Sequence, residues 1–288
     1  MNAEIRTRLW AMIAALGMSL TAVQAYSQTS AKQSSATATS VNPLSHAERA
    51  ANLFGRELIS SDNQKVGKVD NVVVDLESEH ILYVVVDTSR GKVAAAPQIF
   101  GESTGNTLKA NVDKQKIESA PQFTSSVDKP DQLGQASFVD NVYQCFGASP
   151  WWQGSSPANQ GTFHNVHKLN QLIGMTVEDV NNKSIGKISN IVLDMPSGRL
   201  LYVVFSPDSS LSLGNNLYAM PSDAFTLSGD QKHLVTNIDK QKLAAAPHFQ
   251  KNNWPSLNDP TFASQVYQYY GKQAWFNTGA GSYQPTGR

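Results

Sequence analysis

The 288-residue chain has a single cysteine, Cys145. It can therefore form no internal disulfide and no thiolate-rich zinc site. Charge is scarce and balanced: 23 Lys+Arg stand against 23 Asp+Glu, together 16% of the residues, where an average soluble domain carries about 25%. Without a basic excess the chain does not read as a general nucleic-acid binder, and it has no polybasic patch for a membrane surface. Long hydrophobic runs are also missing. The longest apolar stretch, Leu9 to Leu20, covers about 12 residues, and a membrane span needs about 20.

That stretch has a meaning of its own. Arg6 and Arg8 precede it, and Val23-Gln24-Ala25 follows it with small residues at a cleavage position. A positive start, a short apolar centre and a small-residue end form a secretory signal peptide. The expected mature start is Tyr26, and the expected location is the periplasm. Residues 26–45 are rich in Ser, Thr, Ala and Gln; such a segment buries too little apolar surface to offset its ordering entropy, so it reads as a disordered spacer.

From there the chain repeats itself. Shifted by 119 residues, Leu53–Asp87 lies over Leu172–Ser206 without a gap. Gly67-Lys68 meets Gly186-Lys187, Asn71 meets Asn190, Asp75 meets Asp194, and Leu82-Tyr83-Val84-Val85 meets Leu201-Tyr202-Val203-Val204. After small gaps Ala96-Pro97 fits Met220-Pro221, and Asn111–Ile117 fits Asn237–Leu243. The tails agree as well, with Phe138, Val142 and Trp151 against Phe262, Val266 and Trp275. The organisation expected is a signal peptide (1–25), a spacer (26–45), a first unit with its tail (46–147), a linker (148–167) rich in Gly, Ser and Pro, a second unit with its tail (168–277) and a frayed end (278–288).

Each unit reads as strands. Val66–Leu76 with Ile81–Asp87, and Ile185–Met195 with Leu200–Phe205, are runs of β-branched and aromatic residues. Turn residues separate them, Glu77-Ser78-Glu79 and Pro196-Ser197-Gly198, so each pair predicts a long hairpin. Shorter strands are expected near 56–60, 92–96 and 107–112. Gly67 and Gly186, inside strand pattern, mark bulges or bends. The triplets Val72-Val73-Val74 and Val84-Val85-Val86 are apolar on both faces. One face can line a barrel interior; the other needs a cover, supplied by the unit's own tail or by the other unit. The stripes Phe138/Val142/Phe146 and Phe262/Val266/Tyr270 suit tail helices, with Ser137 as a candidate cap for the first and Asp259-Pro260 starting the second.

The string Gly-Lys-[Val/Ile]-x-Asn-[Val/Ile]-Val-x-Asp, a turn, Leu-Tyr-Val-Val, Ala-x-Pro or its counterpart, and a closing Asp-Lys-x-Lys-[Ile/Leu]…Ala-Pro-x-Phe resembles the PRC-barrel family, over roughly 53–123 and 172–249. The resemblance implies a mainly β fold: two small PRC-type β-barrels in tandem, each followed by a short helical tail. It also implies assembly and protein contact rather than catalysis. The family includes the photosynthetic reaction-centre H subunit, which has a membrane helix and one barrel, and a cytoplasmic ribosome maturation factor. This chain looks instead like an exported tandem form.

Chemistry-bearing sets are sparse. His164-x-x-His167 lacks the further ligands that a metal site requires. Asp75 and Asp194 end equivalent strands and read as turn caps rather than paired catalytic carboxylates. Lys68 and Lys187 have no phosphate-cradling loop beside them. Cys145 reads as a small buried hydrophobe, and Tyr83 and Tyr202 as wall aromatics. Trp151, Trp152, Phe163, Trp254, Trp275 and Phe276 either anchor a partner or seal each barrel against its tail; the equivalence of Trp151 and Trp275 favours sealing.

The expectation is a noncatalytic periplasmic interaction or assembly module with no catalytic, cofactor or metal residues and an unidentified protein partner, and neither nucleic acid nor an integral membrane span. Two alternatives stand beside it: a ligand site or active site between the barrels, and, by family analogy, a subunit of a photosynthetic or pigment complex. Export has a direct check. Intact-mass measurement of the protein from its native cells should give a chain beginning near Tyr26; an intact Met1 in the membrane fraction would overturn the assignment.

Overall fold

The computed structural model describes residues 42–152, 163 and 165–277. The expected signal peptide, most of the spacer, His164, the middle of the linker and the C-terminal end lie outside the described residues.

Both expected hairpins form. In the first unit strands β1 (Ala47–Arg49), β2 (Glu57–Ile59), β3 (Lys65–Asp75), β4 (His80–Thr88), β5 (Gly91–Ala95), β6 (Phe100–Thr104) and β7 (Thr107–Ala110) precede helices α1 (Lys114–Glu118) and α2 (Ala136–Phe146). The second unit has β8 (Val166–Lys168), α3 (Leu169–Leu172), β9 (Thr176–Glu178), β10 (Ser184–Asp194), β11 (Arg199–Pro207), β12 (Asn216–Met220), β13 (Thr226–Leu227), β14 (Leu234–Val235), α4 (Lys240–Ala245), β15 (His248–Gln250) and α5 (Pro260–Tyr269). The long pairs β3–β4 and β10–β11 are antiparallel, and each is bulged beside its repeated asparagine, between Val69 and Asn71 and between Ile188 and Asn190. Gly67 and Gly186 sit where two strands nearly touch. A Cβ on Gly67 would lie 2.0 Å from the Asp87 carbonyl oxygen, and one on Gly186 would lie 2.3 Å from that of Ser206, so only glycine fits either bend.

The two units are not separate beads. Strand β1, at the start of the first unit, pairs with β10 of the second, Ala47 opposite Asp194. Strand β8, at the start of the second, pairs with β3 of the first, Val166 opposite Asp75. These are equivalent strands on equivalent partners, a reciprocal exchange about a local two-fold. The repeated asparagines serve it. Asn71 Oδ1 accepts the amide of Val72 (3.0 Å) and that of Asn170 (3.4 Å), which follows β8; Asn190 Oδ1 accepts those of Ile191 (2.9 Å) and Ala51 (3.4 Å), which follows β1. On the two-fold itself β4 meets β11, with His80 opposite its own counterpart Arg199. The Ile81 amide donates to the Gly198 carbonyl (2.8 Å), and the Leu200 amide donates to that of Glu79 (2.9 Å). Among the described residues one sheet therefore runs through all fifteen strands. Leu44, expected in the spacer, and Val166, expected in the linker, are buried: Leu44 lies just before one exchanged strand and Val166 begins the other, which draws both into the core.

The doubly apolar strands are covered on both sides. Val72, Val74, Val84 and Val86 join an interior cluster that is continuous with Ile191, Leu193 and Val203 of the second unit. On the other face Val73 and Val85 pack with Val139, Val142 and Tyr143 of α2. Val192, Tyr202 and Val204 pack in the same way with Ala263, Val266 and Tyr267 of α5. The tails are the covers. Their buried stripes centre on 139/142/143 and 263/266/267, while Phe138, Phe146, Phe262 and Tyr270 flank them half-buried. Asp259 caps α5, accepting the Thr261 amide at 2.9 Å with Pro260 in the first turn. Ser137 does not cap α2: the cap position is Gln135, which makes no side-chain bond there, so Ser137 lies inside the first turn. Replacing Val142 or Val266 with Ala should cost about 2 kcal/mol of unfolding free energy in urea titrations, as expected for methyl groups removed from a packed core. No change in either variant would mean that the tails are not covers.

Candidate functional site

A row of buried polar side chains crosses the two-fold. Cross-strand pairing puts Asp75, His80, Arg199 and Asp194 in one row across the sheet, and all four are buried. His80 Nδ1 lies 2.5 Å from the Ser78 carbonyl, and its Nε2 lies 2.7 Å from Arg199 Nη1. A carbonyl only accepts and a guanidinium only donates, so His80 is the neutral tautomer with its proton on Nδ1. Burial, then the Arg199 charge, hold its pKa well below the ordinary histidine value. Trp151 stacks on the imidazole at 3.9 Å with a 15° tilt, and Trp275 lies 5.4 Å from the Arg199 guanidinium carbon. Lys272 bridges Glu79 (2.8 Å) and Asp223. The tail tyrosines complete the seam: Tyr143 and Tyr267 donate to the carbonyls of Ile81 (3.3 Å) and Leu200 (3.4 Å).

This row is occupied by the fold. Asp75 accepts the Glu77 amide (3.3 Å) and Asp194 that of Ser197 (3.0 Å), so both carboxylates serve as turn caps. Burial raises the Asp194 pKa. Lys68 and Lys187 are exposed strand lysines, and Cys145 is half-buried on α2 against the core. His167 is buried with Nε2 2.9 Å from Asn165 Oδ1, and burial lowers its pKa to about 4. Its expected companion His164 lies outside the described residues. Among the described residues no three His, Cys, Asp or Glu side chains are grouped to hold a metal ion.

Tyr83 donates to the Leu133 carbonyl at 3.0 Å, and Trp152 donates to Asp140 at 3.1 Å while meeting Tyr143 edge-on at 4.9 Å. Phe163 packs on both Trp151 and Trp152. Trp254 lies against Phe249 at 4.8 Å and under Arg49 at 4.9 Å, and Phe276 packs on Tyr267. These aromatics pack against barrel and tail. A Gly-x-Ser-x-Gly string, Gly101–Gly105, is carried by β6 and its hairpin turn, not by a strand-to-helix elbow. Ser103 there accepts from Arg56 at 2.7 Å and donates to Glu48 at 3.2 Å, beside the ion pair of buried Arg56 with half-buried Glu48 of β1.

A different kind of site appears where the repeat symmetry breaks. In the first unit β4 and β5 are joined by residues 89–90; in the second, β11 and β12 are joined by residues 208–215. The longer connection sends Leu211 and Leu213 against the core. Leu211 lines a cavity of about 210 Å³ together with Val180, Ile185, Ile238 and Leu243, and Asp179, Asp239 and Lys240 lie at its edge. In the first unit the Ser61 amide donates to the Val112 carbonyl at 2.9 Å, and the Lys114 amide donates to Asp62 at 3.3 Å. Val180 and Ile238 occupy the positions of Ser61 and Val112. Among the described residues they make no such bond, and both line the cavity. Val180 is 65% exposed, the one large hydrophobic side chain so exposed among the described residues. The sequence reading passed over this place; the signal available to it was the gap in the repeat together with Val standing for Ser at position 180.

Residues 46–107 and 164–242 match the family model of the PRC-barrel domain. No curated protein matches the chain.

The seam carries its own prediction. A histidine held below its unfolded pKa takes up its proton only on unfolding, so its stabilising effect is complete above about pH 6.5 and is lost as pH falls towards the folded value. His80 and His167 both act in this direction. Between pH 6.5 and about 4, where the His167 value lies, His167 should steepen the loss of stability by up to about 1.4 kcal/mol per pH unit, and His80 adds to the slope in the same direction. His80→Gln, which keeps an acceptor for Arg199, should flatten the curve of unfolding free energy against pH below 6.5. An unchanged slope would show that His80 already carries its proton in the folded state.

Proposed function

Starting from a chain that carries tandem PRC-barrel domains, we propose that this protein is an exported, periplasmic, noncatalytic interaction module that docks a partner protein at the mouth of its second barrel. The observation that carries this reading is the asymmetry between otherwise matched units. One mouth is bridged by a backbone hydrogen bond; the other lacks that bond among the described residues, is lined by Leu211 of an eight-residue connection and presents an exposed valine beside an apolar cavity. A single exposed valine is ordinary by itself; what supports a contact here is its place on an apolar cavity at the point where the two units differ.

Export is supported by the arrangement of Arg6, Arg8, the apolar run and Val23-Gln24-Ala25. Among the described residues no helix is long and apolar enough to cross a membrane. A noncatalytic role is supported by the seam, where the buried Asp75, Asp194, His80 and Arg199 are engaged with the backbone or with each other. The place between the barrels, the other location for a ligand site, is filled by paired strands and a continuous apolar cluster.

A photo-crosslinking residue at position 180, compared with one at the equivalent position 61, tests the assignment in native cells. Discrete adducts from position 180 and none from 61 are expected. Equal adducts from both positions, or adducts from neither, would overturn the second barrel mouth as the docking point.

A further inference from the structure

The open mouth also constrains what fits it. Resting on the docking reading above, we propose that the second barrel mouth takes an extended peptide segment of the partner, which bridges Val180 and Ile238 and sets one aliphatic side chain, next to a basic residue, into the cavity.

The first unit supplies the template. There the segment after β2 and the segment after β7 come together through the Ser61 amide and the Val112 carbonyl. That bond extends the parallel pairing of Glu57–Ile59 with Thr107–Lys109. In the second unit the same parallel pairing runs through Val177 and Glu178 with Leu234 and Val235, and the Thr236 amide donates to Glu178 at 3.0 Å. It stops there. Beyond it no bond joins the Val180 amide to the Ile238 carbonyl, and both residues line the cavity. A donor and an acceptor spaced apart at the end of a strand pair are a ready template for a third backbone. A short extended peptide restores both partners, as adding a strand to a sheet edge does.

Size and charge narrow the choice further. The cavity, about 210 Å³, is below the range of about 300–1,000 Å³ typical of small-molecule sites. One branched aliphatic side chain and the backbone carrying it suit this space, and the walls Ile185, Leu211, Ile238 and Leu243 are apolar. The charged groups at its edge are Asp179, Asp239 and Lys240, an excess of one negative charge. Asp179 is kept ionised by accepting the amides of Lys183 (3.0 Å) and Asn181 (2.8 Å), which lower its pKa. Asp239 caps α4 by accepting the Lys242 amide at 2.7 Å. Each carboxylate keeps an oxygen not used in those bonds, so a Lys or Arg beside the aliphatic residue finds a complementary charge.

The test is selection of random displayed heptapeptides on the full-length mature protein. The expected outcome is a consensus with Val, Ile or Leu adjacent to Lys or Arg. Titration of the consensus peptide should shift the amide resonances of Val180 and Ile238 and leave those of Ser61 and Val112 in place. Leu211→Glu, which puts a charge in the cavity wall, should weaken that peptide at least tenfold while the amide resonances of the first unit stay in place as the check on folding, and Val180→Pro, at an exposed position, removes the amide donor and should weaken it likewise. No enriched consensus, a consensus without the aliphatic–basic pair, or a consensus whose binding ignores both variants would overturn the proposal. If crosslinking from position 180 succeeds while peptide selection fails, docking stands and the peptide assignment falls; if both fail, both fall.

Discussion

Everything in this molecule hangs on the exchange of two three-residue strands. Ala47–Arg49 and Val166–Lys168 each leave their own unit and pair with the long strand of the other. Neither exchange is strong on its own, since a backbone hydrogen bond contributes only about 0.5–1.5 kcal/mol net. Its effect lies in what it joins. The exchange brings β4 against β11 at His80 and Arg199, fuses two small interiors into one cluster, and leaves each hairpin's outer face to its own tail. Small domains bury a smaller fraction of their surface than large ones. Two units of about a hundred residues with a shared interior escape part of that handicap.

The seam also explains several repeated residues that no chemistry claims. Asn71 and Asn190 are kept because each accepts an amide from the crossing segment as well as its own neighbour's. The Ala96-Pro97 and Met220-Pro221 corners are kept because each leans on the opposite unit's hairpin turn. A Cβ on Gly198 would come within 3.3 Å of Pro97 Cγ, and Ser222 Oγ donates to the Leu76 carbonyl at 3.0 Å. Where the symmetric parts are spoken for by structure, departures from symmetry are the informative places. The connection 208–215 and the substitution of Val for Ser at position 180 are such departures, and they meet at one cavity.

Much of the fold was legible in the sequence because it is local. The hairpins were readable from Val/Ile runs broken by turn residues, the bends from Gly67 and Gly186, and the need for a cover from valines on both strand faces. The exchanged strands were not readable. Ala-Glu-Arg and Val-His-Lys carry no period, and their partners lie more than ninety residues away. The helix cap at Ser137 was misplaced by two positions because propensity favours Ser there while packing of Ala136 and Val139 starts the helix earlier. The short α1 and α4 had a signal, the repeated Asp113 and Asp239, each accepting an amide three residues on at 2.7 Å. The open mouth left only an indirect signal, the gap in the repeat and Val180 in the place of Ser61, which marks a departure from symmetry without saying whether two strands part or close.

The central claim is that the two PRC-barrel units form one cooperative body through this seam. Equilibrium urea unfolding followed by fluorescence from single-tryptophan variants tests it most directly, with Trp152 reporting on the first tail and Trp254 on the second. The account predicts coincident transitions, with one midpoint and one slope from both probes. Two separated midpoints, with one barrel melting while the other stays folded, would contradict it.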